Sequence, residues 1–169
     1  MSDDPKQQTI GLFEREWHSF DPWIRGLTAD QLDRPVFGEG VGWRVRDMIT
    51  HIAWWQDMAG QAARKMASEG TAPGEGGIRG YVGLPAISVA EQNALTDEEW
   101  RAVPIETRWE RWHHAHSAMM DALRELRAEQ LLDPEGPDGI RRWFAMPGFV
   151  HLRLHREHIE AALKESPTT

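Results

Sequence analysis

The 169-residue chain has no cysteine. That excludes disulfides, thiolate metal ligands and a cysteine nucleophile, so any sulfur chemistry needs a thiol brought by a ligand. It has no Lys/Arg-rich block, and its net charge is −8. An acidic surface of this kind argues against tracking phosphates, and so against nucleic acid, and gives no handle for an anionic membrane. No apolar run reaches the length of a signal peptide or a membrane span, which points to a cytosolic protein. No segment alternates apolar and polar residues over a strand's length, so no sheet of importance is expected. Internal repeats and low-complexity stretches are absent too. At 40% hydrophobic residues the chain can bury one good core, and residues 1–169 are read as a single domain.

Tryptophan and histidine are abundant, with nine and eight copies. Most of the tryptophans belong to a core. Others are available to line a pocket or an interface, and a homodimer is one possibility that this leaves open.

Helical periodicity accounts for most of the chain. Ile10, Phe13, Trp17, Phe20, Ile24 and Leu27 follow spacings of 3, 4, 3, 4 and 3, one apolar stripe on a first helix that starts at Asp4-Pro5. Pro22 predicts a kink there, or a break and restart. Thr28 and Gln31 have capping-box spacing, which predicts a short extra turn before Pro35. After a loop at 36–42, a second helix is expected from about 43 to 68, with Val45, Met48, Ile52, Trp55, Ala59, Ala62 and Met66 inward.

The glycine-rich stretch 69–80 has neither Gly-Lys-Ser/Thr nor G-x-G-x-x-G, and no strand precedes it, so it is read as a crossover loop with a possible lid role. Residues 87–103 look helical in pieces, with Thr96 and Glu99 as another capping box. A third long helix is expected over 106–127, with Trp109, Trp112, His116, Met119, Leu123 and Leu126 inward. Residues 133–139 read as a turn-rich loop, and a last helix runs from about 147 to 164. Four long amphipathic helices imply an all-α four-helix bundle, with a long crossover connection between the second and third.

The stretch "HLRLHREHIE" (151–160) carries the clearest chemical signal. His151 and His155 are four apart, so their rings lie on one helical face about 6 Å apart along the axis. His158 lies about 10.5 Å of rise from His151, too far for one ion to take all three. A complete metal site then needs a ligand from another helix, and His51 lies on the inward side of the second helix. The plain alternatives are a hydrogen-bonded core histidine at 51 and a solvated basic face at 151–156, and the pattern alone leaves both open.

"LTADQLDRPV", "GWRVRDMITHIAWW" and the terminal "HLRLHREHI" together resemble the DinB-like superfamily of four-helix bundles, over roughly residues 10–164. That superfamily includes thiol-dependent transferases and the metal-binding domain of mycothiol-dependent maleylpyruvate isomerase. The resemblance implies a divalent metal held by His51, His151 and His155, with "HREHI" favouring His155 over His158.

Three neutral imidazoles would leave a fourth position open for a water or a thiol. Zinc or nickel suits such a set. The implied activity is a metal-dependent thiol S-transferase or an isomerase-like reaction on a small-molecule substrate. His116, on the inward stripe of the third helix, is a candidate to hydrogen-bond a metal-ligating residue or to carry a proton. His113 and His114 fall off that stripe and are expected in solvent.

The chain departs from the family where Arg44 replaces the usual capping hydroxyl. It also resembles the ClbS/DfsB branch, through the Trp, Asp and His of the second helix and "VAEQNA" (89–94). That branch implies a metal-free protective hydrolase or binding protein. A non-catalytic metal-binding bundle is a third reading.

Overall fold

A computed structural model describes residues 4–36, 42–74 and 77–164. The described chain is helical, with two isolated β-bridges and no strand among those residues. The four long helices are α1 (Pro5–Arg25), α3 (Val45–Glu69), α6 (Ile105–Glu125) and α9 (His151–Lys164). Short helices join them: α2 (Ala29–Leu32), α4 (Gly77–Tyr81), α5 (Val89–Trp100), α7 (Ala128–Leu131) and α8 (Arg142–Ala145). This is the expected all-α bundle, with α4 and α5 lying in the long connection between the second and third bundle helices.

Most residues of the apolar stripes bury as the periodicity requires, while Leu27, Trp55 and Trp109 are only half-buried. Phe13, Phe20 and Ile24 on α1, Met48, Ile52 and Met66 on α3, and Trp112, Met119 and Leu123 on α6 are almost wholly enclosed. The α3–α6 pair is the most extensive packing in the molecule. Gly60 makes that closeness possible: a Cβ there would lie 3.1 Å from the Met119 Cα.

Local chemistry sets the helix ends. Asp4 caps α1 by accepting from the Lys6 N–H at 2.9 Å, ahead of Pro5 in the first turn. The expected Thr28–Gln31 capping box is present, at 2.8 and 3.3 Å. At α3, Arg44 offers no capping oxygen. Half a box remains, in which Asp47 accepts from the Arg44 N–H at 2.9 Å.

Four expectations change. α1 continues through Pro22 to Arg25 instead of breaking, because one missing N–H removes a single hydrogen bond while Phe20 and Ile24 stay anchored in the core. The capping box of α5 is Ser88–Glu91, not Thr96–Glu99. Thr96 lies inside α5, where its hydroxyl donates to the Gln92 carbonyl at 3.0 Å. The final helix begins earlier than 147, as α8, and passes through a π-helical turn (Met146–Val150) before α9. The third helix stops at Glu125, and Gln130 then caps the separate α7 by accepting from the Arg127 N–H at 2.9 Å. The loop at 36–42 and the glycine-rich stretch fall in part on residues 37–41 and 75–76, outside the described residues.

No helix among the described residues is long and apolar enough to cross a membrane.

Candidate metal centre

His51 projects from the second turn of α3, and His151 and His155 from the first turns of α9. The bundle brings the three rings together. Their centroids are 4.8 Å apart for His51–His151, 5.0 Å for His51–His155 and 4.3 Å for His151–His155. One nitrogen from each lies within 4.8 Å of the other two, so the three can hold one ion. Nitrogen ligands on a tetrahedral zinc sit about 3.4 Å apart, given Zn–N bonds near 2.1 Å. The set therefore needs only small ring rotations to close. His158 stands outside it, with its ring 5.6 Å from that of His155.

The polar accounting points the same way. His51 Nε2 and His151 Nε2 are 3.0 Å apart, a contact that occupies one nitrogen on each. His155 is fully buried, and neither of its nitrogens finds a hydrogen-bond partner among the described residues. A buried polar group without a partner is costly, so three converging nitrogens with too few partners fit a ligand that accepts them all.

Charge agrees as well. Burial pushes His51 down to about 3 from the ordinary 6.5. His151 and His155 are lowered well below that value, first by burial and then by neighbouring histidines. All three rings are neutral near pH 7, which is the ligating form.

The surroundings divide into two parts. On one side His51 and His151 line a cavity of about 410 Å³, walled by Trp55, Ile78, Trp143, Met146 and Leu154. Among the described residues, Arg142 is the one charged side chain on that lining. On the other side His51 borders a crevice of about 10 Å³ with Asp47, Thr50, Asn93, Thr96 and Asp97. That volume is about the size of one water molecule. The Nδ1 atoms of His151 and His155 have no hydrogen-bond partner among the described residues, so the polar surroundings of the cluster are gathered around His51.

His116 is placed apart from the three. It is buried, stacks on Trp17 at 3.6 Å, and shares no ring contact or hydrogen bond with them among the described residues. His114 is exposed as expected. His113 is only partly exposed: it lies 3.0 Å from an Arg25 nitrogen and edge-on to Trp17.

Sequence reasoning missed the cavity walls. Trp143 lies before the π-helical turn and Met146 opens it, where helical periodicity is lost. It also missed Arg108, which is 2% exposed and binds Asp47 at 2.7 Å and the Trp100 carbonyl at 2.6 Å. That arginine ties the end of α5, and so the crossover, to the start of α3.

A family model described as the mycothiol maleylpyruvate isomerase N-terminal domain matches residues 13–155. The chain belongs to that family. The family is DinB-like, mycothiol-related and metal-binding, in agreement with the helical bundle and the three converging histidines. No curated protein and no solved structure matches the chain significantly.

Proposed function

We propose that His51, His151 and His155 bind a divalent metal, zinc or nickel, and that the protein is an enzyme using a low-molecular-weight thiol in a transferase or isomerase-like reaction. The observation that carries this reading is the convergence of three neutral imidazoles beside a cavity, with both nitrogens of His155 left without partners. The family's link to mycothiol supports the thiol. The metal-free reading accounts for less: a His51–His151 hydrogen bond satisfies one nitrogen on each of two rings and leaves His155 unexplained.

When bound, the ion supplies a Lewis-acid position that ionises a thiol near neutral pH. The chain's residues do the rest. Three side-chain ligands leave room for an exogenous one. Trp55, Trp143 and Met146 exclude water from the face where the sulfur meets its electrophile. In a transfer reaction the sulfur forms a bond to an electrophilic carbon, and either a leaving group departs from that carbon or, in an addition, the neighbouring carbon of the former double bond takes the proton. In an isomerisation the sulfur adds to a conjugated double bond, the new single bond rotates, and the sulfur leaves again, so the thiol is regenerated.

The test uses protein purified without a histidine tag. Metal analysis should find about one divalent ion per chain. The loaded protein should accelerate conjugation of a thiol to 1-chloro-2,4-dinitrobenzene, with release of chloride. Metal without conjugation would favour a non-catalytic bundle, and no metal would favour the metal-free branch.

A further inference from the structure

We propose that the cavity beside the histidines takes a co-substrate with a flat apolar body and a single anionic group, and that Arg142 selects the anion. The assignment rests on reading this cavity as the site of the reaction, but the binding itself does not require the metal.

The walls are mostly hydrocarbon and indole: Trp55 and Trp143 with Ile78, Met146 and Leu154. A volume of about 410 Å³ suits a one- or two-ring organic molecule. Arg142 is exposed, lines this cavity, and makes no ion pair or hydrogen bond among the described residues. Its neighbours differ. Arg141 donates to the Glu129 carbonyl and faces the Trp143 ring, while Arg153 pairs with Glu16 and Asp138. No carboxylate among the described residues therefore competes with a ligand for the Arg142 guanidinium at the edge of this apolar cavity.

The Arg142 guanidinium by itself offers paired N–H donors to one carboxylate or sulfonate. The other polar groups on the described lining are Asn93 and the neutral His51 and His151 rings, so a second anionic group would be desolvated there with no second cation to pair it, which is costly. The cavity therefore disfavours a small dianion, unlike the maleylpyruvate of the family's name.

The test uses protein stripped of metal by chelation, so that a carboxylate cannot coordinate an ion instead. Binding of 2-naphthoate, its neutral counterpart 2-naphthalenemethanol, and maleate is followed by tryptophan fluorescence and calorimetry at pH 7. Naphthoate should bind at least tenfold more tightly than the alcohol, and maleate should bind more weakly than either. Arg142→Gln should bring naphthoate down to the level of the alcohol while leaving the alcohol's affinity unchanged. Arg142→Lys should recover part of the loss. Because Arg142 is exposed, both variants should keep the wild-type melting temperature.

Equal binding of naphthoate and alcohol overturns the proposal. So does a preference that survives Arg142→Gln, tighter binding of maleate, or failure of both naphthyl probes to bind at millimolar concentration. A preference that depends on Arg142 in a protein that takes up no metal would sink the metal reading and leave this one standing. Metal uptake without the preference would do the reverse.

Discussion

His155 is the most enclosed of the three imidazoles, and its environment bears directly on what each substitution should do. An ion that binds only the folded state stabilises it by mass action, about 2.7 kcal/mol at a hundredfold excess over Kd. For a domain of this size that corresponds to a rise in melting temperature of roughly 5–10 °C. Zinc should produce such a rise in the wild type and in His158→Ala. It should produce none in His51→Ala, His151→Ala or His155→Ala. A His158→Ala variant that loses the shift while His51→Ala keeps it would show that the ligand set has been misassigned.

His116 allows a second prediction at the same scale. Burial beside Trp17 lowers it to about 3, with smaller contributions from His18, His113 and Arg124. In the unfolded chain it titrates near 6.5. Above pH 6.5 it is neutral in both states. As the pH falls toward 3 the unfolded state takes up a proton that the folded state refuses. Stability is therefore present above 6.5 and is lost on acidification, by up to about 1.4 kcal/mol per pH unit for one such group. His116→Gln should flatten that acid limb. Urea midpoints at pH 7 and pH 5 should lie closer together in the variant than in the wild type, and an unchanged gap would count against this account.

At the scale of the element, the turn before α9 decides where the histidines point. Gly148 has φ −90° and ψ −119°, outside the helical region, inside the π-helical turn. A Cβ at this position would collide with the Phe13 ring, which itself meets Phe149 edge-on at 5.2 Å. Gly148→Ala should therefore cost about 1–3 kcal/mol through overpacking, and should weaken zinc binding by displacing the start of α9. Gly74→Ala, where an added Cβ meets nothing within 4 Å, should stay within about 0.5 kcal/mol of the wild type. Thermal melts and zinc titrations of the two variants provide the check.

The same turn marks the limit of what can be read from the residues alone. The stripes of α1, α3 and α6 were visible because 3.6-residue periodicity is a local property that burial then enforces. The His151–His155 pair was visible for the same reason, and bringing His51 to it required a family resemblance. Arg142, Trp143 and Met146 were not legible, because the π-helical turn resets the phase between them and α9. Arg108 was hidden for a different reason: its partners are the Trp100 and Arg101 carbonyls and Asp47, groups brought together only by the tertiary fold.

At the scale of the whole molecule, many of the arginines among the described residues are matched to nearby carboxylates. Arg46 and Arg44 face Asp33, Arg111 holds Asp57, Arg124 bridges Glu14 and Asp121, and Arg153 bridges Glu16 and Asp138. Each such pair removes a guanidinium from any surface that might follow a phosphate backbone, and the remaining excess is negative, at −8. Nucleic-acid affinity depends on several cations placed to displace condensed counterions, with a salt dependence that grows with each phosphate neutralised. Arg142 is a single cation beside an apolar cavity, which is not such a track. At micromolar protein and low salt, random duplex DNA should therefore show no binding in a mobility-shift or anisotropy titration. A complex that weakens steeply between 50 and 200 mM salt would mean that the paired arginines open to bind phosphate, and that the acidic balance does not govern this surface.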